Sequence, residues 1–168
     1  MNIWHRADPT QIKPESFLAC IEISQGSKNK YELDKYSGAL KLDRILYTST
    51  HYPHNYGFIP RTYADDGDPL DVLVICSEPI IPLALVECYP IGMLEMIDNG
   101  SKDAKIIAIA KNDPVYNSFS LLLWAILKVA LSLVQCLCSI VITSPNTSLW
   151  LACKVAIMVI VDSGLLRI

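Results

Sequence analysis

Apolar and polar residues alternate along roughly the first two thirds of the chain, and then the alternation stops. Residues 17–24, F-L-A-C-I-E-I-S, start apolar and end in strict alternation, which predicts a strand with Glu22 projecting to one side. A turn follows at Gln25-Gly26-Ser27-Lys28-Asn29. Lys30-Tyr31-Glu32-Leu33 alternates again, so Lys30 and Glu32 share one face of a second strand. Asp34–Gly38 turns the chain, and Ala39–Arg44 returns as its hairpin partner. Val72-Leu73-Val74-Ile75 is apolar on both faces, as a strand buried on both sides must be. Leu83–Ile97 predicts one or two strands broken near Pro90-Ile91-Gly92, and Lys105–Ala110 a further one.

The remaining stretches predict connections. Residues 1–16 are polar, with prolines at 9 and 14, and are expected to be an arm or loop. Residues 45–63 are aromatic and carry Pro53, Gly57 and Pro60, so irregular structure is expected there. Ala64-Asp65-Asp66-Gly67-Asp68-Pro69 is an acidic turn, and Asp98–Asp103 a polar loop. Five or six short strands separated by turns predict a small, mainly β barrel.

Charge divides the chain further. It has 168 residues, is 52% hydrophobic and only 18% charged, and carries a formal net charge of -3. That balance excludes a disordered chain, and it lacks the basic footprint that a nucleic-acid partner requires. Residues 1–118 hold 11 Lys and Arg against 16 Asp and Glu, whereas 119–168 hold Lys128, Lys154 and Arg167 against Asp162. Two units are expected: a barrel domain at 1–118 and a hydrophobic tail at 119–168. The six cysteines include no C-x-x-C pair, and Cys20, Cys76 and Cys88 lie in apolar runs, so neither a disulfide framework nor a zinc site is expected. The N-terminus has no apolar h-region, which predicts a chain without a signal peptide, in the reducing cytoplasm.

The densest chemistry is D-G-D-P-L-D-V-L-V at 66–74. Asp66, Asp68 and Asp71 crowd into one turn that feeds a buried strand. Such crowding costs repulsion unless a cation compensates, and oxygen donors suit Mg2+, which is held by few carboxylates plus water and phosphate. The bland alternative is a solvated acidic turn with an Asx cap. An EF-hand is excluded, because its fifth position is Leu70 and its twelfth is Ser77. Asp98 and Asp103 form a second acidic pair, by itself an ordinary surface loop. Lys30, Arg44 and Lys105 fall near strand ends and supply the basic side of a site that would hold metal and polyanion together. His51 and His54 flank Pro53 and lack a third ligand, so metal binding is not expected there. Tyr52 and Tyr56 are candidate hydroxyl donors to an oxyanion, or core aromatics.

The segments K-Y-E-L-D-K (30–35), Y-P-H-N-Y-G-F-I-P (52–60), D-G-D-P-L-D-V-L-V (66–74) and M-I-D-N-G-S-K-D-A-K-I-I-A-I-A (96–110) closely resemble the soluble inorganic pyrophosphatases of family I, in their plant spelling. The resemblance runs from about Phe17 to about Tyr116. It implies a five-stranded OB-like barrel and Mg2+-dependent hydrolysis of pyrophosphate to two phosphates. It further implies Asp66, Asp71, Asp98 and Asp103 as metal ligands and Asp68 as the general base. Lys30, Arg44, Tyr56 and Lys105 would hold phosphate, with Lys30, Arg44 and Tyr56 counted among the catalytic groups. Glu22, Glu32 and Tyr52 would support the site, and a homo-oligomer would fit the family.

Two departures stand out. Leu83-Ala84 replaces the family's Gly-containing turn, and no segment of 119–168 matches its C-terminal Tyr-Lys phosphate ligands. Instead, residues 119–143 are a run of 25 with only Lys128 charged. As a helix the run would be about 38 Å long, enough to span a bilayer core. The tail is therefore expected to be helical, as a membrane anchor, as a helix packed on the barrel, or as sequence foreign to the enzyme from a retained intron or shifted frame. A catalytically impaired isoform that still binds metal and phosphate is the functional alternative.

Overall fold

A computed structural model describes residues 3–47, 49–64, 67–98, 101–116, 156–161 and 164–167; side chains are described for 3–47, 49–64, 67–96 and 103–116. The chain begins with a short helix, α1 (Ile3–Arg6), and a 3-10 turn at Pro9–Gln11 whose cap is Asp8. The strands are β1 (Ile12–Lys13), β2 (Ser16–Ile23), β3 (Asn29–Leu33), β4 (Leu40–Ile45), β5 (Asn55–Phe58), β6 (Asp71–Ile75), β7 (Leu85–Asp98), β8 (Ser101–Ala110), β9 (Ala156–Val161) and β10 (Gly164–Arg167).

Five of them close a barrel in the order β2-β5-β6-β8-β7, and β7 pairs back onto β2. The expected barrel is thus present. Its inner face follows from the period of two. Phe17, Ala19 and Ile21 of β2, Val72 and Val74 of β6, Cys88 of β7, and Ala108 and Ala110 of β8 form one buried cluster. The intervening residues Leu73, Ile75, Ile107 and Ile109 bury against a second cluster with Ile91 and Leu94 on the outer face. Burial on both faces explains why β6 and the end of β8 read as continuous apolar runs. A third cluster of Trp4, Cys20, Leu33 and Phe58 seats α1 and the end of β3 on β2 and β5.

Three bulges shape the strands. Cys20 and Ile21 pair with Phe58 and Gly57, but Ile23 pairs with Tyr56, so Glu22 is the extra residue in β2. In the β3–β4 hairpin, Lys30 faces Arg44 and Tyr31 faces Leu42, which leaves Asp43 as the extra residue. In β7 the register skips Ile91, so Pro90 and Gly92 bend one continuous strand rather than breaking it.

Several connections differ from expectation. The arm at 1–16 contains α1, the 3-10 turn and β1. The region 45–63 contains β5, a barrel strand whose Gly57 removes the Cβ that would have betrayed the alternation. Most of the expected 98–103 loop is strand: β7 runs to Asp98, which pairs with Ser101 at the start of β8. Leu83, where a glycine-containing turn was expected of the family, has φ 67, a left-handed conformation strained for a branched side chain.

Residues 119–143, on which the helical and membrane readings of the tail rest, lie outside the described residues. The described part of the tail is strand, not helix: β9 extends the sheet along Gly92–Glu95 of β7, and β10 pairs with β9. Ile157, Val159, Ile160 and Val161 are β-branched, which favours that state. Among the described residues no helix is long and apolar enough to cross a membrane.

Candidate functional site on the barrel's outer face

Alternation places the site. Asp71 shares a face with Leu73 and Ile75, and Asp103 and Lys105 share theirs with Ile107 and Ile109. The polar residues therefore continue the outer apolar face toward the beginning of β6. Parallel pairing sets Asp71 directly beside Lys105.

The Lys105 ammonium ties this group together. Nζ donates to Asp71 Oδ2 at 2.7 Å and to Tyr56 Oη at 3.0 Å, and lies 3.0 Å from Asp103 Oδ2. Tyr56 donates its own hydroxyl to Asp71 Oδ2 at 2.5 Å, and Tyr52 packs against the Tyr56 ring at 5.4 Å between centroids. Burial works against the charge on Lys105, but Asp71 and Asp103 outweigh it and raise the ammonium's pKa. Burial, followed by the negative charge of Asp71, pushes the Tyr56 phenol well above its usual range, so it stays a proton donor.

A second group lies on the β3–β4 hairpin. Lys30 Nζ meets Glu32 Oε1 at 2.6 Å and Asp43 Oδ2 at 3.3 Å, while Arg44 Nε donates to the same Asp43 oxygen at 2.7 Å. Register alone brings Lys30 opposite Arg44, and the bulge turns Asp43 between the two cations.

Glu22 links the two groups. Its bulge buries the carboxyl, and Oε1 accepts the Leu33 N–H at 2.6 Å. Burial pushes the Glu22 carboxyl up to about 7, helped by the nearby charges of Asp71 and Glu32; the Leu33 N–H and Lys30 act the other way. A folded-state pKa above the unfolded value means that stability is full below the unfolded pKa and is lost as pH rises through about 7. In EDTA, this group alone is expected to cost about 3 kcal/mol between about pH 4 and pH 8. Glu22→Gln keeps an acceptor for Leu33 without titrating. Its melting temperature should therefore fall less than the parent's across that range, and parallel curves would contradict the assignment.

Most of the residues singled out in the sequence thus fall into one neighbourhood: Glu22, Lys30, Glu32, Arg44, Tyr52, Tyr56, Asp71, Asp103 and Lys105. Asp68 lies on the loop before β6 and is paired with Lys35. Asp66 lies outside the described residues. Asp98 ends β7, and its side chain is not among those described. His51 Nδ1 meets the Ser49 carbonyl at 2.8 Å. Among the described residues no three His, Cys, Asp or Glu side chains close on one point. Sequence reasoning missed Asp43 and Lys35. A signal for the first existed: the apolar phase of Leu40 and Leu42 slips to Ile45, as an inserted residue demands.

A divalent cation suits this donor set. Asp71 and Asp103 already share one cationic group, the Lys105 ammonium. Two carboxylates with water and phosphate completing the shell is how Mg2+ is ordinarily held.

The family model for inorganic pyrophosphatase matches residues 19–122. The chain belongs to that family. It is 51% identical over 118 residues to soluble inorganic pyrophosphatase 2 of Chlamydomonas reinhardtii, covering 70% of this chain and 61% of the relative. It is also 51% identical over 117 residues to the soluble inorganic pyrophosphatase of barley, Hordeum vulgare, covering 70% and 54%. Its structure resembles the crystal structure of the Thermus thermophilus inorganic pyrophosphatase, with TM-score 0.66, 43% identity and coverage of 70% and 67%. The chain therefore spans less than two thirds of the length of these curated pyrophosphatases. The family match runs slightly past Tyr116, where the sequence resemblance stops.

Proposed function

We propose that this chain hydrolyses inorganic pyrophosphate to two phosphates, using Mg2+. The observation that carries this reading is the Asp71–Lys105–Asp103–Tyr56 cluster, which interleaves carboxylates with proton donors on one face of a pyrophosphatase barrel. Carboxylates alone would suit many metal sites, and cations alone many anion sites. A magnesium-bound polyanion needs both within a few ångströms.

Asp66, Asp71, Asp98 and Asp103 are assigned to hold Mg2+. When bound, the ion supplies Lewis acidity and neutralises phosphate charge. Asp68 takes a proton from the attacking water as its oxygen bonds to one phosphorus and the bridging P–O bond breaks. Lys30, Arg44, Tyr56 and Lys105 hold the phosphoryl oxygens and offset the charge that gathers on the departing phosphate. Glu32 and Tyr52 keep Lys30 and Tyr56 in place, and Glu22 supports the carboxylate face from below.

The barrel domain, 1–118, carries every one of these residues, and the tail, 119–168, is the second unit. The working location is the cytoplasm, with no nucleic-acid partner, a homo-oligomer as the assembly, and membrane attachment only if 119–143 is an anchor. Phosphate release from pyrophosphate by the purified chain, with Mg2+ and with EDTA, tests the function. Release with Mg2+ that EDTA abolishes is expected. A folded chain that binds Mg2+ without releasing phosphate would instead support the impaired isoform.

A further inference from the structure

The loop that carries Asp68 is tied to the N-terminal helix through a lysine. The loop backbone is fixed from within: Ala64 N–H donates to the Asp68 carbonyl at 2.7 Å, Leu70 N–H to Thr62 Oγ1 at 2.8 Å, and Ile59 N–H to the Leu70 carbonyl at 2.9 Å. The Asp68 side chain is engaged from outside, where Lys35 Nζ donates to Oδ1. Lys35 comes from the β3–β4 turn, and its ammonium lies 4.8 Å from the centroid of the Trp4 ring. Trp4 is itself anchored. It is buried with Leu33 and Phe58, its ring lies 6.1 Å from Phe58, and its carbonyl accepts the Arg61 N–H at 3.1 Å. Arg61 also donates through Nε to the Ala7 carbonyl, so both ends of α1 are held against the strand that leads into the acidic loop.

A solvent-exposed lysine–aspartate pair is ordinarily weak, because each long side chain must give up rotamer freedom. An aromatic face changes that balance by holding the ammonium in one place before the carboxylate arrives. We infer that Lys35, seated on Trp4, is a positioning residue for Asp68, fixing which carboxylate oxygen faces the water that Asp68 is proposed to deprotonate. This inference rests on the proposed role of Asp68 as general base. It also gives α1, some 60 residues away in sequence from that loop, a function in the reaction.

The test compares Lys35→Gln, Lys35→Arg and Trp4→Phe in the full chain, with pyrophosphate as substrate and saturating Mg2+. Lys35→Gln is expected to lower kcat about tenfold while KM stays within about twofold, because an orienting contact is lost and a binding one is not. Lys35→Arg should recover most of kcat, and Trp4→Phe, which keeps an aromatic face, should lose less than Lys35→Gln. Unchanged kcat in Lys35→Gln, or a rise in KM alone, would overturn the inference. A second readout needs no turnover. In EDTA, the Asp68 carboxyl carbon resonance, assigned by its disappearance in Asp68→Asn, should shift in Lys35→Gln. A resonance that stays put would show that the lysine does not engage Asp68. A parent chain that releases no phosphate would sink the proposed activity instead, and the resonance would still decide the contact.

Discussion

Asp71→Asn is expected to lower Mg2+-dependent phosphate release by about 10³-fold, equivalent to about 4 kcal/mol of transition-state stabilisation. Asp71 Oδ2 receives two donors, the Tyr56 hydroxyl at 2.5 Å and the Lys105 ammonium at 2.7 Å. An asparagine fills the same volume but removes the charge that Lys105 meets and that the proposed Mg2+ would need. Lys105 is then left among fewer anions, in a site that buries it. The fold should survive, because Asp71 opens β6 and its side chain is partly exposed. The far-ultraviolet circular dichroism spectrum should therefore match the parent's. A variant that retains a tenth or more of the parent rate would contradict the proposal that Asp71 holds Mg2+.

Gly57→Ala should do the opposite, destroying the fold and not merely the chemistry. A Cβ on Gly57 would lie 1.9 Å from the Cys20 carbonyl oxygen and 2.9 Å from Ile21 Cα, and neither backbone atom can swing aside. Gly57 pairs with Ile21 next to the Glu22 bulge, where β2 and β5 approach closely. Relieving the clash means parting two strands of a closed barrel, with a cost of about 3 kcal/mol or more. That is a large part of the ~5–15 kcal/mol that holds a domain folded. Gly26→Ala is the internal comparison. Gly26 has φ +80, and a methyl group there would meet nothing within 4 Å, so only backbone strain of about 1 kcal/mol is expected. Urea unfolding followed by circular dichroism should show a much larger drop in midpoint for Gly57→Ala than for Gly26→Ala. Equal drops would mean that β2 and β5 are not packed as described.

Where the hydrophobic pattern was clean, the sequence was readable. β6 and the end of β8 are apolar because both faces are covered, whereas the β3–β4 hairpin stays largely exposed and buries only Leu33. β5 was hidden: it is four residues long, its Gly57 has no side chain to mark a face, and its Asn55 is a buried polar residue. The site was legible as a list of residue types and as a family resemblance, but not as a geometry. Nothing local shows that Asp71 and Lys105 are neighbours, since a parallel pairing between strands some 30 residues apart creates that contact. Glu22 looked like one member of an alternating strand, but it is the extra residue of a bulge, and its buried carboxyl accepts the Leu33 N–H. Lys35 closes the K-Y-E-L-D-K segment, but nothing in that segment shows its contacts, because its partners come from α1 and from the loop before β6.

The tail shows the same limit. Its apolar run at 119–143 reads as a helix by length and composition alone. The β-branched residues further on form β9 because β7 offers an edge at Gly92–Glu95, beyond the residues that pair with β2. Tertiary pairing decided that element, as it often does for apolar segments without a clear period.

The most direct measurement is phosphate release from pyrophosphate by the full chain in Mg2+, beside Asp68→Asn prepared identically and shown folded by circular dichroism. Mg2+-dependent release by the parent, reduced at least about 100-fold in Asp68→Asn, is the predicted result. Equal rates in the two proteins, or no release from a folded parent, would contradict the assignment of this chain as a pyrophosphatase whose barrel carries a working site.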